Sequence, residues 1–175
     1  MSGIGSKADI TGLNTISLNG TKGVGCQSGA AVLLEGSVVE LNGEEGVFVS
    51  DVGSQMKIKG CTVRGNGVKG VGVQSGAHAE VVGSLVSRNG REGVYVSGEG
   101  SRCLVQDNDV TDNGVKAVGV QDLAEVAVEG NRLLNNRHVG IHVYRPGARA
   151  IVRDNDISGH SLGPALTEGG GTLNR

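Results

Sequence analysis

Apolar residues in this chain alternate with polar or small ones over very short stretches. Val24 and Cys26, Val47 and Val49, Val71 and Val73, Val94 and Val96, Val118 and Val120, and Ile141 and Val143 each stand two residues apart. That period is the signature of a β-strand with one buried face, because successive strand side chains point to opposite sides. A second alternating set follows the first, at 32–34, 56–58, 79–81, 103–105, 126–128 and 150–152. A third position is marked by one apolar residue per repeat: Ile16, Val39, Val63, Val86, Val110, Leu133 and Ile157. We call the three strand classes strand one, strand two and strand three. The pattern predicts all three within every 23 or 24 residues.

Turn residues fall between the strands with the same period. Asn19, Asn42, Asn66, Asn89 and Asn113, each followed by Gly, and then Asn136 are spaced 23, 24, 23, 24 and 23 apart. They lie between strands three and one, where the Asn-Gly pair predicts a residue with φ > 0. A second column precedes strand three: Asn14, Ser37, Cys61, Ser84, Asn108, Asn131 and Asn155. Stacked ~4.8 Å apart, its side chains are expected to hydrogen-bond along the column. Three strands and three turns in one repeat describe a coil of a parallel β-solenoid. The prediction is an all-β parallel β-helix of six to seven rungs. It is a single domain over 1–175, with repeats over 8–160 and a weak last rung and Gly-rich tail over 161–175.

The repeat matches itself best at every second rung. NGTKGVGCQSGA (19–30), NGVKGVGVQSGA (66–77) and NGVKAVGVQDLA (113–124) are 47 residues apart. The outward column on strand one explains this: Gly25, Phe48, Gly72, Tyr95, Gly119 and His142 alternate small with large. Just before it, Lys22, Glu45, Lys69, Glu92 and Lys116 alternate in sign. Identical bulky or charged side chains ~4.8 Å apart would collide or repel, so neighbouring rungs must be complementary. Charge pairs are likewise expected for Glu35 with Lys59, Glu129 with Arg153, Arg132 with Asp109 and Asp156, and Asp112 with Arg88.

Composition narrows the alternatives. With 32 glycines among 175 residues, a helical repeat would lose ~1 kcal/mol per interior Gly relative to Ala. A leucine-rich repeat shares the 23-residue period, but a second strong strand in every rung argues against it. Lys plus Arg is 16 against 18 Asp plus Glu, a net charge of −2; no nucleic-acid or anionic-membrane surface is expected. No apolar run approaches the ~20 residues of a membrane-spanning helix, and the N-terminus lacks the apolar core of a secretory signal. Cys26, Cys61 and Cys103 show no C-x-x-C spacing. They read as small buried hydrophobes, and unpaired thiols lean toward an intracellular setting.

The segment HVGIHVYRPGARAIVRDNDISGH (138–160) resembles the right-handed parallel β-helix repeat proteins, which share the pectate-lyase-like fold. The two-rung alternation is similar to the β-helix of an F-box ubiquitin-ligase subunit and to carbohydrate-binding and sugar-hydrolase repeats. The resemblance implies the fold over residues 8–160. It also implies that any enzyme of this kind would be a polysaccharide lyase, hydrolase or epimerase, with carboxylates and a basic residue on an outer sheet face. No F-box-like helical segment accompanies the repeats.

No set of residues announces such chemistry. Asp107, Asp109 and Asp112 in DNDVTDN lack the Gly and terminal Glu of an EF-hand loop. His78 is placed in a loop, and His160 takes the place of an Asn in a turn column; neither has an evident partner. The candidate binding face is the outer side of strand one, where Phe48, Tyr95, His142, Tyr144 and Arg145 rim a shallow trough floored by glycine. The bland alternative is that these rings shield the neighbouring glycines. The expectation is a non-catalytic scaffold or recognition module for a protein or glycan, with no cofactor and no metal. The alternatives are a polysaccharide-active lyase or epimerase, or a structural subunit joined through its coil ends. The repeats end without an amphipathic helix to cover an open coil, so end-to-end self-association, or continuation in a longer chain, is expected.

Overall fold

A computed structural model describes residues 1–174. It contains 22 strands and, among the described residues, no helix. All pairings between strands are parallel, and they form three sheets along one axis. The strand-one sheet has seven strands, from Val24–Cys26 to Ala165–Glu168. The strand-two sheet has eight, from Lys7–Ile10 to Thr172–Asn174, and the strand-three sheet seven, from Thr15–Ser17 to Asp156–Ser158. The solenoid is therefore the predicted one. It gains a strand-two segment at each end that the repeat pattern alone did not mark.

The inward columns close into one aliphatic core. Val39, Val63, Val86, Val110 and Leu133 of strand three, with Val47, Val71, Val94 and Val118 of strand one, have no exposed surface. Register is maintained from rung to rung: Val71 pairs with Val94, and Val94 with Val118. At the two ends the same columns are only half covered, at Ala8, Ile10, Ile16, Val152, Ile157 and Leu173.

The turns differ from expectation in a way that explains the Asn-Gly repeat. The positive φ falls on the residue before each Asn, at Leu18, Leu41, Arg88, Asp112 and Asn135, and not on the glycine after it. That glycine is required by space. A Cβ on Gly43, Gly67 or Gly90 would lie far inside contact distance of the carbonyl oxygen of Gly20, Gly43 or Gly67, one rung earlier. The asparagines form the longer of the two ladders. The backbone N–H and Nδ2 of Asn66 both donate to Asn89 Oδ1, at 3.1 and 2.9 Å, and Asn66 Nδ2 also donates to Val39 O at 3.2 Å. The same geometry runs unbroken from Asn19 to Asn136. The column predicted to be the ladder is mixed, because Ser37, Cys61 and Ser84 interrupt it; its Asn side chains stack in the C-terminal half, where Asn108 and Asn131 donate to Asn131 and Asn155 Oδ1.

Two histidine expectations are corrected. His78 opens the strand His78–Val82 and is not in a loop. His160 has partners: Nδ1 lies 3.0 Å from Asn136 O and Nε2 2.9 Å from Leu133 O, so its ring closes the long ladder. The three thiols are buried, and burial pushes Cys103 up to about 12.

Candidate functional site

The outer face of the strand-one sheet carries the expected alternation. Phe48 pairs in register with Gly25 and Gly72, and Tyr95 with Gly72 and Gly119. The glycine floor is covered by the neighbouring side chains. Glu45, Phe48 and Lys69 lie over Gly72, and Glu92, Tyr95 and Lys116 over Gly119. Each lysine reaches an aromatic ring one rung on: Lys22 lies 4.8 Å from the Phe48 centroid, Lys69 4.8 Å from Tyr95 and Lys116 4.3 Å from Tyr144. Such cation–π contacts anchor the cation more firmly where water is partly excluded.

The charges are shared less evenly than the column suggests. Lys22 bonds Glu44 at 2.7 Å and lies 3.7 Å from Glu45. Lys69 bonds Glu45 at 3.0 Å and does not pair with Glu92. Glu92, 2% exposed, has only longer contacts, 3.9 Å to Lys116 and 3.7 Å to Arg91, and its Oε2 accepts no hydrogen bond. Burial lowers the Lys116 ammonium from its ordinary value against the pull of Glu92. For Glu45 burial pushes upward, but the hydrogen bond and charge of Lys69, with Lys22 behind, outweigh it and hold the carboxyl below its usual range.

Of the five residues expected to form a face, four gather at the C-terminal half of the sheet. His142 and Tyr144 stack with ring centroids 4.4 Å apart and planes inclined by 27°. Tyr95 lies beside them: burial, then the Tyr95 hydroxyl, raises the Tyr144 phenol well above its ordinary range. Arg145 turns the corner at φ 72° and bonds Asp122 at 3.1 Å. His142 Nε2 lies 3.2 Å from Glu168 Oε2. Burial and the nearby Lys116 nonetheless lower the imidazole from its ordinary value. Phe48 stands apart, two rungs from Tyr95 across Gly72. Sequence reasoning missed Asp122 and Glu168, which are contributed by the corner and by the weak last rung.

Two further features were not legible in the columns. Adjoining clefts of about 470 and 490 Å³ lie on the outer face of the strand-two sheet and meet at His78 and Glu80. Ala31 and Leu33 line one, and Leu104, Ala127 and Ile151 the other. Small or apolar outward residues produce these depressions, flanked by ion pairs such as Lys57 with Glu80 at 2.7 Å and Arg102 with Glu125 at 3.2 Å. Arg132 pairs with Asp109 at 2.9 Å, Lys59 with Glu35 at 3.4 Å and Arg153 with Glu129 at 3.7 Å. The expected Asp112–Arg88 and Arg132–Asp156 bridges are not formed. Both Arg88 and Asp112 are turn residues with left-handed backbone, at φ 54° and 56°. Among the described residues, no three His, Cys, Asp or Glu side chains group to hold a metal ion.

Comparison with known proteins agrees with this geometry. No curated protein sequence matches the chain. Solved structures share the fold, three of them as follows. They are the A-module of mannuronan C-5 epimerase AlgE4 of Azotobacter vinelandii (20% identity, TM-score 0.61), pectate lyase Pel9A (12%, 0.65) and the A-module of the A. vinelandii epimerase AlgE6 (18%, 0.56). The alignments cover 95%, 91% and 95% of this chain but 59%, 50% and 60% of those chains, so this chain spans little more than half their length. The description "Right handed beta helix region" matches residues 3–105 and 69–174, and with nearly the whole solenoid so covered the chain belongs to the right-handed β-helix family.

Proposed function

We propose that this chain is a non-catalytic β-helix recognition module that binds a glycan along the outer face of strand one, at Tyr95, His142, Tyr144 and Arg145. The observation that supports it is the aromatic pair His142–Tyr144, stacked at 4.4 Å and set beside Tyr95 on a flat parallel sheet. Rings held rigidly by their neighbours offer an apolar platform with polar edges, which suits a sugar. Three of the carboxylates along this face are already engaged. Glu168 is taken by His142, Asp122 by Arg145 and Glu45 by Lys69. Such mutual pairing supports binding over proton transfer, which needs a base free to accept a proton. The fold neighbours act on mannuronan and pectate by their names, which favours a glycan over a protein segment.

The test is retention of the chain on immobilised mannuronan, polygalacturonate and a neutral polysaccharide. Tyr144→Ala is expected to weaken retention at least tenfold with an unchanged far-UV circular dichroism spectrum. Equal retention of the variant, or no retention of the parent on any polymer, rejects the face. One observation favours a second reading, a uronate lyase or epimerase: Glu92 Oε2 is buried without a hydrogen bond in the same patch as Lys116, Tyr95 and Tyr144. That reading requires an unsaturated product or an inverted C5 centre on incubation with either uronate polymer, and it fails if neither forms.

A further inference from the structure

The outer face of the strand-two sheet breaks its own pattern. Most outward positions there are charged, yet Leu104, Ala127 and Ile151 are outward and apolar, with Ile151 41% exposed. Register sets them side by side: Leu104 pairs with Ala127, and Ala127 with Ile151. Three adjoining rungs thus form a straight aliphatic row ~10 Å long, the floor of the cleft of about 490 Å³. The neighbouring cleft of about 470 Å³ has no such row, because its Leu33 stands between Asp9 and Lys57. A continuous apolar strip in a charged face marks a place where something binds.

The charges beside the row are not balanced. Lys57 bonds Glu80 at 2.7 Å, Arg102 bonds Glu125 at 3.2 Å, and Arg153 lies 3.7 Å from Glu129. Glu125 stands in register between Arg102 and Arg149. Its bond to Arg102 leaves Arg149 without an ionic partner among the described residues. That exposed guanidinium lies on the same strand and the same face as Ile151, two residues away. The opposite end of the row is closed by Glu80, which pairs in register with Leu104. The strip therefore has an electrical direction, with a free cation beside Ile151 and a carboxylate beyond Leu104. No Phe, Tyr or Trp ring stands on this face for a sugar to stack on. Phe48, Tyr95 and Tyr144, the only such rings in the chain, are all on strand one.

We propose that this cleft binds a soluble medium-chain alkyl carboxylate, laid along the solenoid axis with its carboxylate on Arg149 and its tail over Ala127 and Leu104. A guanidinium grips a carboxylate through two parallel N–H···O bonds. The alkyl chain covers the aliphatic row and releases the water over it. Glu80 repels the carboxylate from the far end and so sets the direction. A polyuronate suits the cleft less well, since Glu125 and Glu129 flank the row on its two sides. The site is separate from the strand-one face and does not depend on a glycan binding there.

Isothermal titration calorimetry of the full chain with decanoate, kept below its micelle concentration, tests the proposal. One site is expected, with affinity rising about twofold or more for each methylene added from hexanoate to decanoate. Acetate has the charge without the chain, and decylammonium the chain with the opposite charge; each should bind about tenfold more weakly or worse. Arg149→Gln should weaken decanoate about tenfold. Ala127→Glu, which sets a carboxylate in the middle of the row, should remove binding. Both side chains point outward, so the fold is retained, as circular dichroism verifies. Arg132→Gln, a matched loss of charge on the strand-three sheet, should have no effect. Methyl NMR signals of Leu104, Ala127 and Ile151 should shift on binding, and those of Leu85, exposed on the strand-three face, should not. No measurable binding of decanoate, equal affinity for decylammonium, affinity independent of chain length, or full binding by Arg149→Gln or Ala127→Glu overturns the inference.

Discussion

Asn89 shows how much one side chain does in this fold. Its Oδ1 accepts from Asn66 N–H and Nδ2; its Nδ2 donates to Val63 O at 3.2 Å and Asn113 Oδ1 at 3.0 Å. Asn89→Ala leaves two donors and a carbonyl without partners in a buried turn. Each orphan costs ~1–3 kcal/mol, so a loss of about 3 kcal/mol or more is expected in a urea melt. Asn14→Ala at the exposed start of the other column should cost under ~1 kcal/mol. The glycines divide as sharply. Gly67→Ala drives a methyl into the Gly43 carbonyl, backbone that cannot move without shifting a rung, and should abolish cooperative unfolding. Gly60→Ala adds a methyl with nothing within 4 Å, at φ 58°, and should lose only the ~1 kcal/mol or so of a left-handed alanine. Equal thermal melts for the two variants would contradict this division.

Between rungs, the unit of stability is the complementary pair of neighbouring strands. Lys69→Glu would place three carboxylates in successive positions with Glu45 and Glu92 and remove the cation over Tyr95. Reversing the pair with Glu45→Lys as well restores one ion pair, and should recover about 1 kcal/mol of the loss in a double-mutant cycle. Additive effects would show that the alternation is not coupled. The same pair sets an acid limit. Because the folded Glu45 carboxyl is held below the ordinary glutamate value of 4.5, the folded state binds the proton less readily than the unfolded. Its contribution is fully present above pH 4.5 and is lost as pH falls through the lowered folded value. Stability measured below pH 4.5 should therefore fall less steeply in Glu45→Gln than in the parent. The strand positions were readable because Val47-x-Val49 and its equivalents have a period only a half-buried strand explains. The face was readable in part, since Phe48, Tyr95 and His142 fall every second rung. What the columns could not show depends on rotamers and ends. Lys69 chooses Glu45 and Tyr95 over Glu92 through its χ angles, Glu168 enters the patch from beyond the repeats, and Asp122 from a corner where the matching copies carry Ser28 and Ser75. The strand-two clefts were hidden because Leu104, Ala127 and Ile151 occupy outward positions that the alternation marks as polar.

Across the whole molecule, stability is a sum of contacts between neighbouring coils, since one coil encloses no core of its own. A central coil such as that of Val94–Ser97 and Arg102–Gln106 is stacked on both sides, and its inward Val94, Val96 and Val105 are wholly buried. The end coils are stacked on one side only, and Ala8, Ile10, Ile16, Val152 and Leu173 stay half covered. Opening an end coil exposes one junction, whereas opening a central coil exposes two and separates the halves. Hydrogen exchange of the dilute chain should therefore be fastest in Lys7–Ile10 and Thr172–Asn174, and slowest from Val71 to Gln121. Uniform protection along the chain at low concentration would mean that the solenoid opens as one unit, and nearest-neighbour stacking would then not describe it.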